Sequence, residues 1–227
     1  PFEKGAKHLL YNTITPTLLA RAKELDCEVI FIVTSEDTLE DIKAHISSAL
    51  EDSDLIITSG GVSVGYADFT KEAFASFDYE ACFSQINIKP GKPTTFGRIG
   101  RTYVLNLPGN PLAAAINFEI FAQSIILKLH HARKPYIGSL KAKMKENFSQ
   151  RAGKYTVVPG YYDWEFFAPI AKRSPGMISP LAQSNAFMIT DDKIAEIKKG
   201  ETVLLIPTRW QMCTQEKSEI ITKATSN

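Results

Sequence analysis

The feature that most constrains this chain is a repeated alternation in its first half, where short β-branched apolar runs give way to helical patterns. CEVIFIV over 27–33 and DLIIT over 54–58 predict buried strands. Each empties through a polar or glycine-bearing loop into a helix start. Thr15 and Pro16 form a cap and first-turn pair ahead of Leu18, Leu19, Ala22 and Leu25. Asp37, with Glu40 three residues on, predicts a capping box for a helix carrying Leu39, Ile42, Ile46, Ala49 and Leu50. Asp68 is placed to cap a helix bearing Phe69, Ala73, Phe74 and Phe77. Asn110 and Pro111 open LAAAINFEIFAQSIILKL, the longest apolar helical pattern. Strands alternating with helices imply βαβ units and an α/β domain with a mostly parallel sheet covered on both faces.

A further strand near 82–88 ends in KPGKP, and TTFGR and TYVLNL flank Ile99-Gly100 as a hairpin. After residue 134 the pattern changes to short strands broken by Gly and Pro. KAKMKENF, YTVVPGYY, EFFAPI, NAFMITD and ETVLLIP predict a small all-β domain. The expected division is therefore 1–134 and 135–227.

Composition narrows the function classes. Twenty-six Lys and Arg against 25 Asp and Glu leave a formal charge of +1 with no long basic run, which disfavours nucleic-acid and membrane-surface roles. Cys27, Cys82 and Cys213 are scattered, with no CxxC, so neither a disulfide framework nor a zinc site is expected and a reducing, cytoplasmic setting is. No apolar stretch is expected to reach the roughly 18 to 20 residues of a membrane helix, and the opening PFEKGAKH holds no signal-peptide core.

Three loops, 34–37, 59–68 and 106–111, each connect a predicted strand end to a predicted helix start, the edge where open α/β sheets bind ligands. Helix N-termini there favour an anion such as phosphate. Gly60, Gly61 and Gly65 allow close backbone approach, and Ser59 and Ser63 add hydroxyl donors. The loop is neither a P-loop nor a GxGxxG fingerprint. Lys89 and Lys92 suit an anion, or else a solvated turn. Asp37 and Asp68 suit helix caps; beside a phosphate they would call for a divalent cation. Asn110-Pro111 is explained by capping alone. The four histidines lack ligand spacing, and no Ser-His-Asp set is legible.

Taken together, DLIITSGGVSVGYADFTKEAF, INIKPGKPTTFGR and YVLNLPGNPLAAAINFEIF strongly resemble the molybdopterin molybdenumtransferase (MoeA-like) family, and RSPGMISPLAQSNAFMITDDKIAEIKKGETVLLIP resembles its C-terminal β-domain. The resemblance implies a three-layer α/β/α domain followed by a small β-barrel-like domain, in a homodimeric transferase of molybdenum-cofactor biosynthesis. It implies insertion of molybdate into adenylated molybdopterin with loss of AMP, assisted by Mg2+, and contact with molybdopterin adenylyltransferase. Carried onto this chain, Ser59, Gly60, Gly61, Ser63, Gly65 and Asp68 would lie at the nucleotide and metal. Asp37, or its neighbour Glu36, aligns with a second acidic position at the metal. Lys89, Gly91, Lys92 and Pro93 of KPGKP, and Pro108, Gly109, Asn110 and Pro111 of LPGNP, would shape the substrate pocket. The family's α/β domain starts with a strand ending in a TGDE-like motif; nothing here matches it, so a missing first strand, and an incomplete fragment, are expected. The alternatives are molybdopterin adenylyl transfer, disfavoured by the glycine-loop pattern, and a non-catalytic scaffold that retains the fold.

Overall fold

Leu18, Ala22 and Leu25, spaced at helical intervals, form the inner stripe of helix α1 (Ile14–Glu24). The computed structural model describes residues 12–36, 38–60 and 69–209. Helix α1 starts earlier than Thr15-Pro16 suggests. Its cap position is Thr13, and the Asn12 side chain accepts from the Thr15 amide at 3.1 Å.

Helix α2 (Leu39–Asp52) is capped by Thr38 and not by Asp37. The Thr38 hydroxyl accepts from the Asp41 amide at 3.3 Å, and the Asp41 carboxylate accepts from the Glu36 amide at 2.7 Å. The Thr38–Asp41 bond is the first half of a capping box displaced by one residue, while the Asp41 side chain reaches past the cap to the Glu36 amide. Strand β1 (Leu55–Ser59) follows, and then helix α3 (Phe69–Ala75), whose expected cap Asp68 lies outside the described residues.

The strand expected near 82–88 is two strands in two different sheets: β2 (Glu80–Phe83) and β3 (Ile88–Lys89). β4 (Thr95–Ile99) and β5 (Thr102–Leu107) form the expected hairpin about Gly100, whose φ is +55°. The first sheet has the order β1-β5-β4-β2. Among the described residues only β1–β5 is parallel, so this sheet is mixed, because the hairpin and the edge strand β2 reverse the chain. Side-chain alternation along β5 divides its contacts. Leu105 and Leu107 pack with α1 and the long helix that follows β5, while Val104 packs with residues of α2 and α3 on the other face.

The strand expected over 27–33 does not join the sheet. Residues 27–36 carry no ladder hydrogen bonds, and Ile30, Phe31, Ile32 and Val33 are 40–55% exposed. A strand needs a neighbour to satisfy its backbone, and none of the described residues pairs with this one. Phe31 instead lies against the His45 ring of α2 at 6.1 Å.

The long apolar helix runs as α4 (Pro111–Asn117), a π turn over Phe118–Ala122, and α5 (Gln123–Leu129). Contrary to expectation it is, at 19 residues and a mean hydropathy of 1.5, long and apolar enough to cross a membrane by length and composition. Packing accounts for that composition: Ala114, Phe118, Ala122 and Ile126 are buried against β5. Its one buried carboxylate, Glu119, is held by the Arg21 guanidinium at 2.5 and 2.9 Å.

The second half builds a closed barrel from β6 (Leu140–Met144), β8 (Tyr155–Tyr162), β9 (Phe166–Pro169), β10 (Ala186–Thr190) and β12 (Thr202–Pro207), one strand from each of the five predicted runs. The order β10-β12-β6-β9-β8 is closed by β8–β10 pairing. Met144, Val158, Phe167, Met188 and Leu205 fill its interior. β7 (Phe148–Ser149), β11 (Glu196–Ile197) and helix α6 (Ser179–Gln183) complete it. The barrel also takes β3 as a parallel neighbour of β8, with Ile88 opposite Tyr155 and Lys89 opposite Thr156.

Candidate functional site

The two proline-glycine motifs meet beside the first turn of α4. KPGKP is held from three sides. Its first residue, Lys89, ends the barrel-paired strand β3. Its turn is closed by the Thr94 amide donating to Gly91 O at 2.9 Å and the Ile86 amide donating to Lys92 O at 3.1 Å. From beneath, the Asn117 amide donates to Pro90 O at 3.1 Å. Gly91 has φ +126° and lies flat against that amide, where any Cβ would overlap it. Only glycine meets both demands.

LPGNP enters from β5. Pro108 is buried, and Gly109 lies so close to Gly60 that an added Cβ would sit 3.3 Å from its Cα. The Gly60 amide donates to Leu107 O at 3.2 Å. Ser59 and Gly60 therefore adjoin LPGNP at the sheet edge. Asn110 occupies the cap position of α4, and its carbonyl accepts from the Ala114 amide at 2.9 Å, yet its side chain makes no cap hydrogen bond. Capping alone does not account for it. The Leu112 amide, one of the donors expected to be free for a ligand, is taken by Pro175 O of the barrel half at 3.0 Å.

Between the motifs lies a cavity of about 190 Å³. Lys89, Gly91, Lys92, Pro93, Pro108 and Asn110 line it; Gly109 and Pro111 are not among its lining residues. Sequence reasoning missed two contributors from the second half, Lys154 and Pro175. The one sequence signal for Lys154 is Gly153 directly before it, a turn glycine with φ +108°. Three ammonium groups and no carboxylate among the described lining residues make this an anion-receiving wall. Arg173, two residues before Pro175, is half-buried. Its guanidinium donates to Ile170 O at 2.6 Å and lies 5.2 Å from the Phe148 ring centroid, and burial lowers its pKa from the ordinary arginine value.

Next to the cavity a polar ladder ties the sheet ends together. Thr58 donates to Asn106 and Asn106 to Thr95, each at 2.6 Å, across three strands. Asn106 is 2% exposed, so these bonds are made without competition from water. Gly61, Ser63, Gly65, Asp37 and Asp68 lie outside the described residues. Among the described residues no cluster of three or more His, Cys, Asp or Glu could hold a metal ion.

Residues 4–128 match a family described as a probable molybdopterin binding domain, and residues 141–208 match the MoeA C-terminal region (domain IV). The molybdopterin molybdenumtransferase of Haemophilus influenzae is 33% identical over 215 residues, covering 91% of this chain and 52% of the relative. Molybdopterin molybdenumtransferase 2 of Mycobacterium tuberculosis is 27% identical, covering 84% and 49%. The chain thus spans about half the length of these curated relatives. In fold it is similar to a molybdopterin biosynthesis moeA protein from Pyrococcus horikoshii, with a TM-score of 0.78 at 24% identity over 92% of this chain and 51% of that one. A molybdenum cofactor biosynthesis protein from Pyrococcus furiosus aligns with a TM-score of 0.70 at 25% identity, covering 85% and 63%.

Proposed function

This chain belongs to the MoeA-like molybdopterin molybdenumtransferase family, and from that premise we propose that it binds adenylated molybdopterin and inserts molybdate with release of AMP. The observation that carries this reading is the lysine-walled cavity between KPGKP, LPGNP and the barrel, which suits an oxyanion substrate. Lys89, Lys92 and Lys154 draw molybdate in by charge. The nucleotide phosphate is bound by Ser59, Gly60, Gly61, Ser63 and Gly65. Fixed ammonium groups and backbone amides then stabilise the charge that develops on the leaving phosphate.

The described cavity wall suits an anion and offers no carboxylate to a cation. Magnesium in this reading is held by Asp37 and Asp68. When bound it would neutralise phosphate charge.

Among the described residues β1 has a neighbour on one side only and the exposed segment 27–33 pairs with none, which supports a further part of the reading: one more parallel strand completes the sheet between them. Buried β-branched strands sit between neighbours on both sides, whereas Ile30 to Val33 are left open. The complete enzyme is a cytoplasmic homodimer in which the 1–134 unit provides the molybdopterin site and the 135–227 unit its barrel wall, and it receives its substrate by contact with the adenylyltransferase.

The test is Asp68→Asn in the intact enzyme. Asparagine caps a helix about as well as aspartate, so melting stays near normal. Molybdate insertion falls at least about tenfold, or about 1.4 kcal/mol of barrier. Normal insertion at limiting magnesium would return Asp68 to a capping role and refute the metal assignment.

A further inference from the structure

The KPGKP turn is shaped by a residue that neither lines the cavity nor belongs to either motif. Asn117 stands at the end of α4 and is fully buried. Its Nδ2 donates to Ala113 O at 2.7 Å within the helix and to Pro90 O at 3.1 Å across to the turn. Its amide plane fills the space in which a Cβ of Gly91 would sit. Its Oδ1 is buried with no partner among the described residues.

That last observation separates two explanations. For stability alone an amide is a poor choice here, since a buried acceptor without a donor gives up its hydration for nothing. An apolar side chain would fill the same helix position without that loss. What an apolar side chain lacks is a donor for Pro90 O and a flat face for Gly91. Pro90 and Gly91 separate Lys89 from Lys92, so the backbone that Asn117 grips sets where both ammonium groups stand relative to α4.

We propose that Asn117 is a positioning residue of the anion cavity, holding the Lys89–Lys92 turn in register with the first turn of α4. The proposal deepens the oxyanion reading given above and rests on it for the identity of the ligand, but the grip itself is independent of any ligand. Two variants separate its bonds. Asn117→Ser retains a hydroxyl for Ala113 O, as helix serines do, but is too short to reach Pro90. Asn117→Ala removes both bonds.

The experiment combines amide hydrogen exchange with calorimetric titration of sodium molybdate, on the full chain. In both variants the Ile86 and Thr94 amides, which close the turn, exchange at least about tenfold faster, while amides of the β10–β12 pair keep their rates. Molybdate affinity falls at least about tenfold. In a Lys89→Met/Lys92→Met background the Asn117 substitution changes affinity no further, because it acts through those lysines. Unchanged exchange at Ile86 and Thr94 in the serine variant, which decides the matter if the alanine variant does not fold, overturns the proposal. Where the double lysine variant itself binds molybdate more weakly, an equal further loss on substituting Asn117 with and without the lysines also overturns it. If the turn amides respond but molybdate binding is absent or indifferent to both lysines, the positioning role stands and the oxyanion reading falls.

Discussion

Replacing Gly91 by alanine separates backbone strain from steric overlap, because a second glycine provides the comparison. Gly100, in the β4–β5 turn, has φ +55° and nothing within 4 Å of the position its Cβ would take. Gly100→Ala meets only the left-handed penalty of an L-residue, about 1–2 kcal/mol. Gly91 has φ +126°, further from any region open to alanine, and strain of this kind is on the order of 1–3 kcal/mol. Its Cβ would also overlap the buried Asn117 amide, and overpacking a site that cannot yield adds about 1–3 kcal/mol. The sum is about 2–6 kcal/mol for Gly91→Ala. At about 2–4 °C per kcal/mol for a chain of this size, Gly91→Ala lowers Tm by about 4 °C at the least. Calorimetric melting of the two variants side by side measures the difference. Adding Asn117→Ala to Gly91→Ala removes the overlap but not the φ strain, so it restores part of the loss and not all of it. Equal destabilisation by Gly91→Ala and Gly100→Ala, within about 0.5 kcal/mol, would refute the argument from overlap.

Two other perturbations follow from the packing. Arg21→Met leaves Glu119, 6% exposed, without its bidentate partner. Because Arg21 itself is 21% exposed, the loss is about 2–4 kcal/mol, toward the low end for a buried pair. Urea unfolding should show Arg21→Met/Glu119→Leu recovering most of it. Burial opposes ionisation of Asp163, but the Phe166 and Glu165 amides and the Lys145 ammonium outweigh it and hold its pKa below the ordinary aspartate value. A lowered folded pKa contributes stability above the unfolded value and loses it as pH falls through the folded one. Melting curves from about pH 5 to about pH 2 should therefore fall less steeply for Asp163→Asn than for the parent chain.

What the sequence by itself determined is what local chemistry controls. The five barrel strands are legible because period-two alternation and Gly or Pro stops are properties of a few neighbouring residues. The β4–β5 hairpin is legible for the same reason, and the helix from Pro111 because its apolar spacing runs unbroken. KPGKP and LPGNP stand out because proline and glycine restrict the backbone wherever they occur. The family resemblance joined these pieces, and the matched models bear it out.

Contacts between distant segments were decided only by the tertiary structure. The stretch near 82–88 reads as one strand, but Glu80–Phe83 pairs with β4 while Ile88–Lys89 pairs with barrel residues 67 positions further on. No period within the segment records that division. The cap of α2 shifted from Asp37 to Thr38 because the helix start was set by packing of Leu39 and Ile42, and Thr38 is the residue left at the boundary. Residues 27–33 carry strand propensity but no ladder, since propensity describes a residue's fit to a sheet and cannot supply the neighbour that makes one. Lys154 and Pro175 reach the cavity because the barrel docks against α4 and β3, an arrangement held by the Leu112–Pro175 bond and the β3–β8 pair. Asn117 is an ordinary helix residue by sequence. It becomes the support of the lysine turn only when folding brings Pro90 and Gly91, distant in the chain, onto its buried amide.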